Sequence, residues 1–124
     1  MSKLLLIALG AAIGANLRYA VSVGAAQRWG SAFPYGTLII NVSGSMLIGV
    51  VLALAARSGL GAPWRLLLVT GLLGGYTTFS SFAWETYQLA VEGGLGPALL
   101  NIGGSVGLGL GGVVAGVALV RLLP

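Results

Sequence analysis

The chain has 124 residues, of which 57% are hydrophobic and 6% charged, with six basic and two acidic residues giving a formal net charge of +4. A soluble domain of this size carries about a quarter charged residues, so a chain this apolar belongs in a lipid bilayer, and the six basic residues, scattered singly, read as membrane-flanking anchors rather than a nucleic-acid surface. With no cysteine and no histidine, disulfides, thiolate chemistry, the commonest metal ligand and the usual proton shuttle are all excluded.

Four apolar spans follow one another, each near the roughly 20 residues a bilayer core requires. They run from about 4 to 23, 36 to 56, 64 to 89 and 97 to 119, and predict a single transmembrane domain. Turn residues separate them: Gly30-Ser31 with Pro34, Ser58-Gly59 with Gly61 and Pro63, Gly93-Gly94 with Pro97. Trp29, Tyr35, Trp64, Trp84 and Tyr87 fall near span ends, where interfacial aromatics sit. The apolar start after Lys3 continues past Gly14, which predicts a retained span rather than a cleaved signal peptide. Lys3, Arg57, Arg65 and Arg121 lie on one side against Arg28 and Arg18 on the other, a modest bias toward cytoplasmic termini.

In span one, Gly10 and Gly14 are four residues apart, a spacing that lets helix backbones approach closely in lipid. Arg18 comes fourteen residues after Leu4, about 21 Å along a helix at 1.5 Å per residue. There it can snorkel to headgroups or raise the anion concentration at a pore mouth. In span two, Thr37, Asn41 and Ser45 are spaced by one turn and form a polar stripe on an otherwise apolar helix. Polar residues at that depth bond a neighbouring helix or line a pathway.

Span three contains the least helical stretch, Gly71 through Phe82. Gly74 and Gly75 weaken the helix, and the tyrosine, threonines and serines that follow compete for its backbone. Irregular backbone inside a bilayer survives only where it is buried in protein or lines an aqueous cavity, and transporters use such breaks to aim helix ends and carbonyls at ions. Phe79 and Phe82, three apart, share a face beyond the break, flanked by Ser80 and Ser81. The positive ring edges of phenylalanine suit a small anion, as does the N-terminal end of the resumed half-helix. The carbonyls freed before the break suit a hard alkali cation. Span four repeats the polar device with Asn101 and Ser105, and its glycines at 103, 107 and 111, then 112 and 116, predict packing ridges. Four short helices do not easily enclose a water-filled path alone, so a homodimer is expected.

Three motifs resemble those of the Fluc or CrcB family of fluoride channels: Gly14-Ala15-Asn16-Leu17-Arg18-Tyr19, Gly36 through Asn41 with Gly44 and Gly49, and Gly71 through Phe82. The third is the most specific. The resemblance implies an all-α membrane protein with four transmembrane helices per chain, the third broken mid-membrane, assembled as an antiparallel, dual-topology homodimer in the cytoplasmic membrane. It implies two fluoride pores lined by Phe79, Phe82 and Asn41, with a polar track through Ser80 or Ser81 and Ser105, and Arg18 at the vestibule. It also implies a structural sodium ion at the dimer centre, held by the main-chain carbonyls of Gly74 and Thr77.

From residues alone, the reading reaches an oligomeric membrane protein with a broken helix and an anion-tolerant polar path; fluoride enters with the resemblance. The nearest rival is a small four-helix proton-coupled multidrug exporter, which needs an ionisable residue at mid-membrane. Spans one, two and four offer none there, leaving Glu85 as its candidate. An enzyme is disfavoured, because the serines and threonines have no activating base.

Overall fold

The structure is a computed structural model that describes residues 2–124. Its elements are α1 (Lys3–Trp29), α2 (Tyr35–Ser58), α3 (residues 62–76), α4 (residues 79–93) and α5 (Leu95–Arg121), with no strand among the described residues. Together α3 and α4 form one span, Ala62–Gly93, so four helical segments are long and apolar enough to cross a membrane. At 27, 24, 32 and 27 residues they outrun the expected apolar limits, because the helices carry on into the interfacial layers where Trp29, Ser58 and Arg121 end them. Ser2 caps α1 by accepting from the Leu5 amide. Gly59, in the left-handed conformation at φ 65°, closes α2.

Glycine and alanine, not leucine, fill most of the interior. Gly10, Gly14, Gly44, Gly49, Gly71 and Gly116 are buried, whereas Leu95, Leu100, Leu110 and Val114 point outward. Lipid tails are as apolar as leucine, so large side chains gain nothing by turning inward, and close backbone contact holds the helices instead.

That contact forms two parallel pairs. Gly10 and Gly14 of α1 mesh with Gly71 and Gly75 of α3: a methyl on Gly14 would strike the Leu72 carbonyl and lie 2.8 Å from the Tyr76 nitrogen, and one on Gly75 would lie 2.7 Å from the Ala11 carbonyl. The facing stretch of α3, Leu66–Leu73, is wound as a π-helix. In the second pair, Gly112 and Gly116 of α5 fit against Val42, Met46 and Val50 of α2, while Gly49 of α2 fits against Val113. Arg57, at the end of α2, donates to the carbonyls of Val120 (2.8 Å), Leu123 and Pro124 (both 3.0 Å), capping α5. Gly103, Gly107 and Gly111 differ from the expected packing ridge: nothing lies within 4 Å of where their Cβ atoms would be. Gly112 is one residue, about 100°, further round the helix than Gly111, and α2 lies on that side.

The break falls at Thr77 and Thr78, both extended (φ −76°, ψ 157° and φ −150°, ψ 117°). Fifteen residues precede it (62–76) and fifteen follow (79–93), which with these two make up the 32 of the span. It sits at the midpoint.

Candidate functional site: the broken helix and its groove

Gly74 and Gly75 remain helical, and the helix stops only after Tyr76. Asn41 of α2 holds the break open. Its side-chain amide donates to the Thr78 carbonyl at 2.9 Å, and its Oδ1 accepts from the Thr78 N–H at 2.9 Å. A planar amide thus replaces the hydrogen bond the helix would have supplied to the Thr78 N–H, and adds a second donor to a carbonyl that, at the N-cap of α4, already accepts that helix's first bond. Thr78, 7% exposed, also caps α4: its Oγ1 accepts from the Ser81 N–H at 3.2 Å and contacts the Ser81 and Ser80 hydroxyls at 3.1 and 3.3 Å.

These bonds release two carbonyls. In an unbroken helix the Thr78 N–H would bond Gly74 O and the Ser81 N–H would bond Thr77 O; here they go to Asn41 and to Thr78 Oγ1. Gly74 and Thr77 both line a groove of about 370 Å³ that opens beside the break. Gly74 is exposed, and its missing side chain is not needed for packing within the chain, since a Cβ would meet nothing closer than the Val69 carbonyl at 3.6 Å.

Asn41, Phe79, Phe82 and Ser105 share the lining of that groove, together with Ser45 and Thr78. The Phe79 and Phe82 rings are 5.7 Å apart and tilted by 52°, and Phe79 is 79% exposed. A large ring left this bare at the centre of a span presents its face and edges to whatever fills the groove. The Ser105 hydroxyl is buried with no hydrogen-bond partner among the described residues. Ser80 and Ser81 lie outside the lining, on the capping side of Thr78. Arg18, half-buried on α1, lines neither this groove nor the larger cavity below it.

That second cavity, about 490 Å³, lies between the end of α1, the 30–36 turn and α4. Thr37, Glu85, Gln88 and Glu92 contribute to it, so both carboxylates of the chain face one space. Thr37, 5% exposed, donates to Glu85 Oε1 at 2.8 Å, while Oε2 is buried without a partner among the described residues. The sequence singled out Glu85 only as the exporter candidate; its pairing with Thr37, 48 residues away, is made by the fold and carries no local sequence signal. On the far side of α4, Thr86 Oγ1 donates to the Phe82 carbonyl at 2.7 Å and accepts from Asn101 Nδ2 at 2.8 Å. Asn101 is fully buried and its Oδ1 has no partner among the described residues.

A multi-pass helical membrane protein is what these four spans define, with backbone and side-chain polar groups gathered at one mid-span groove. The family model described as CrcB-like protein, Camphor Resistance (CrcB), matches residues 5–117. The chain is 57% identical over 123 residues to a protein of Roseiflexus sp. (strain RS-1) named fluoride-specific ion channel FluC, covering 98% of this chain and 99% of that one. A protein of the same name from Chloroflexus aurantiacus is 54% identical over 122 residues, covering 98% and 97%, and one from Solibacter usitatus is 48% identical over 120 residues, covering 96% and 98%. The chain belongs to the CrcB family.

Proposed function

We propose that this protein is a fluoride-selective channel that lets fluoride leave the cell passively across the cytoplasmic membrane, and that it works as an antiparallel homodimer. The observation that carries the reading is the near-full-length likeness to proteins named fluoride-specific channels. The groove offers the physical means. A small, strongly hydrated anion must exchange water for other positive partners as it enters the membrane. Phe79 and Phe82 provide ring edges, and the first turn of α4 provides N–H groups without intrahelical partners. Asn41 retains one amide N–H beyond the one given to Thr78. Ser105 supplies a hydroxyl within the groove; Ser80 or Ser81 continues the track beyond its lining, and Arg18, away from it on α1, draws anions to the vestibule.

Antiparallel pairing is supported by the position of the break. A twofold axis in the membrane plane superimposes the midpoints of two oppositely inserted spans, so breaks at the midpoint of each meet. The lean of basic residues is slight enough to permit insertion both ways. Pairing through the groove also covers Phe79.

The freed carbonyls of Gly74 and Thr77 fit a hard monovalent cation, since they are neutral oxygen donors with no carboxylate beside them. A sodium ion held there would supply fixed positive charge tying the two breaks together.

Fluoride efflux from liposomes holding the purified protein, read with a fluoride electrode against a chloride control, tests the reading. Fast passive release of fluoride with little chloride is expected. No fluoride release from folded protein, or release that requires a proton gradient, overturns it.

A further inference from the structure

The face of α1 turned away from Gly10 and Gly14 carries Leu5, Leu9, Ala12, Asn16 and Ala20 at helical spacing, all exposed. Asn16 is its one polar member. No residue of α1 lines the groove at the break, so this face is separate from it. Asn16 has thirteen helical residues before it (3–15) and thirteen after (17–29) in the 27-residue α1. It therefore lies at mid-bilayer, where no water is at hand for a bare amide. Its Nδ2 donates to the Ala12 carbonyl at 2.8 Å, which leaves one amide N–H and Oδ1 without a partner among the described residues. One donor and one acceptor on a planar amide make a self-complementary pair. Ala12 and Ala20, one turn to either side, keep the surface low enough for a second helix backbone to come close.

We propose that this outer face of α1 is a contact surface for a second copy of the chain, α1 against α1, closed by reciprocal hydrogen bonds between the two Asn16 amides. Asn16 is at the helix midpoint, so the amides meet whether the second copy is inserted the same way up or inverted. The contact is isologous and joins groove-paired units into larger assemblies.

The chain has no cysteine, so Ala12→Cys and Ala20→Cys report the contact cleanly in the full-length protein in liposomes under mild oxidation. A disulfide needs Cα atoms within about 7 Å. Parallel pairing gives Ala12→Cys homodimers; antiparallel pairing gives a mixed product when the two variants are combined. Adding Asn16→Leu should lower the disulfide yield about three- to tenfold, and Asn16→Gln should restore most of it. Yields that fall in step with tenfold lipid dilution, or that Asn16→Leu leaves unchanged, overturn the proposal. Fluoride release by Asn16→Leu should match the parent, which keeps this test separate from that of channel function.

Discussion

Asn41 and Thr78 exchange two hydrogen bonds, side chain to backbone in both directions and both 2.9 Å long. The single asparagine of α2 thus does for the third span what a further turn of helix would otherwise do, and frees that turn to end.

Replacing Asn41 with leucine leaves the Thr78 N–H buried without a partner, while its C=O, at the N-cap of α4, keeps the first bond of that helix. For that one orphaned group the loss should be about 1–3 kcal/mol, read as a lower denaturation midpoint in detergent. Asn41→Asp keeps an acceptor for the Thr78 N–H but turns a negative charge on its carbonyl and into the groove, and should abolish fluoride release by like-charge repulsion. Parent-like stability in Asn41→Leu would show that the break holds without the clasp.

Phe79→Ile and Phe82→Ile should each cut fluoride flux sharply without unfolding the chain. Phe79 is largely bare and neither ring belongs to the buried core, so stability should move by less than about 1 kcal/mol, as at ordinary surface sites. Parent-like flux in both variants would remove the rings from the path.

Two glycines in the same span should respond oppositely to alanine. Gly75→Ala forces a methyl to within 2.7 Å of the Ala11 carbonyl and should destabilise the chain by at least about 1–3 kcal/mol through overpacking. Gly74→Ala meets no atom of its own chain closer than 3.6 Å, so folding should survive while pairing at the break weakens. Thermal melts separate the first effect, and dimer fraction against dilution reads the second.

Exchanging sodium for a bulky organic cation should loosen the paired form and slow fluoride release together, if neutral carbonyls at the break hold an alkali ion. Dimer fraction and flux unchanged across that exchange would remove the cation from the assembly.

Thr37→Val removes the donor to Glu85 Oε1 and leaves both carboxylate oxygens without a side-chain partner. Stability should fall by about 1–3 kcal/mol, whereas Glu85→Gln, which can keep a hydrogen bond to Thr37, should fall less. Equal losses would place the effect in packing rather than in the bond.

How much could be read in advance follows the physics of each signal. Hydropathy marks spans, because the bilayer imposes their length. The stretch 71–82 announces a break through its concentration of backbone-competing side chains, and it falls at two of them, Thr77 and Thr78, while the glycines before them do not end the helix. Gly75 serves contact with Ala11 and stays helical, while Thr78 ends the helix by capping α4 and bonding Asn41. A glycine that permits close approach and one that terminates a helix look alike in a sequence. Asn41 was legible as polar at depth, yet its partner lies 37 residues away and only the fold pairs them. The π-helical winding of Leu66–Leu73, where α3 meets Gly10 and Gly14 of α1, left no compositional trace.

The tightest backbone contacts join spans one with three and two with four, while the neighbours α1 and α2 meet less closely, where a Cβ on Gly36 would lie 3.0 Å from Ser22 Cα. As the protein is synthesised, α1 must therefore wait in the membrane until α3 arrives, and α2 until α5. A polypeptide halted after its second span would leave Gly10 and Gly14 of α1 and Gly49 of α2 with nothing to fill them. The chain completes its interior only with its last helix, and truncated products should be open to membrane proteases in a way the finished protein is not.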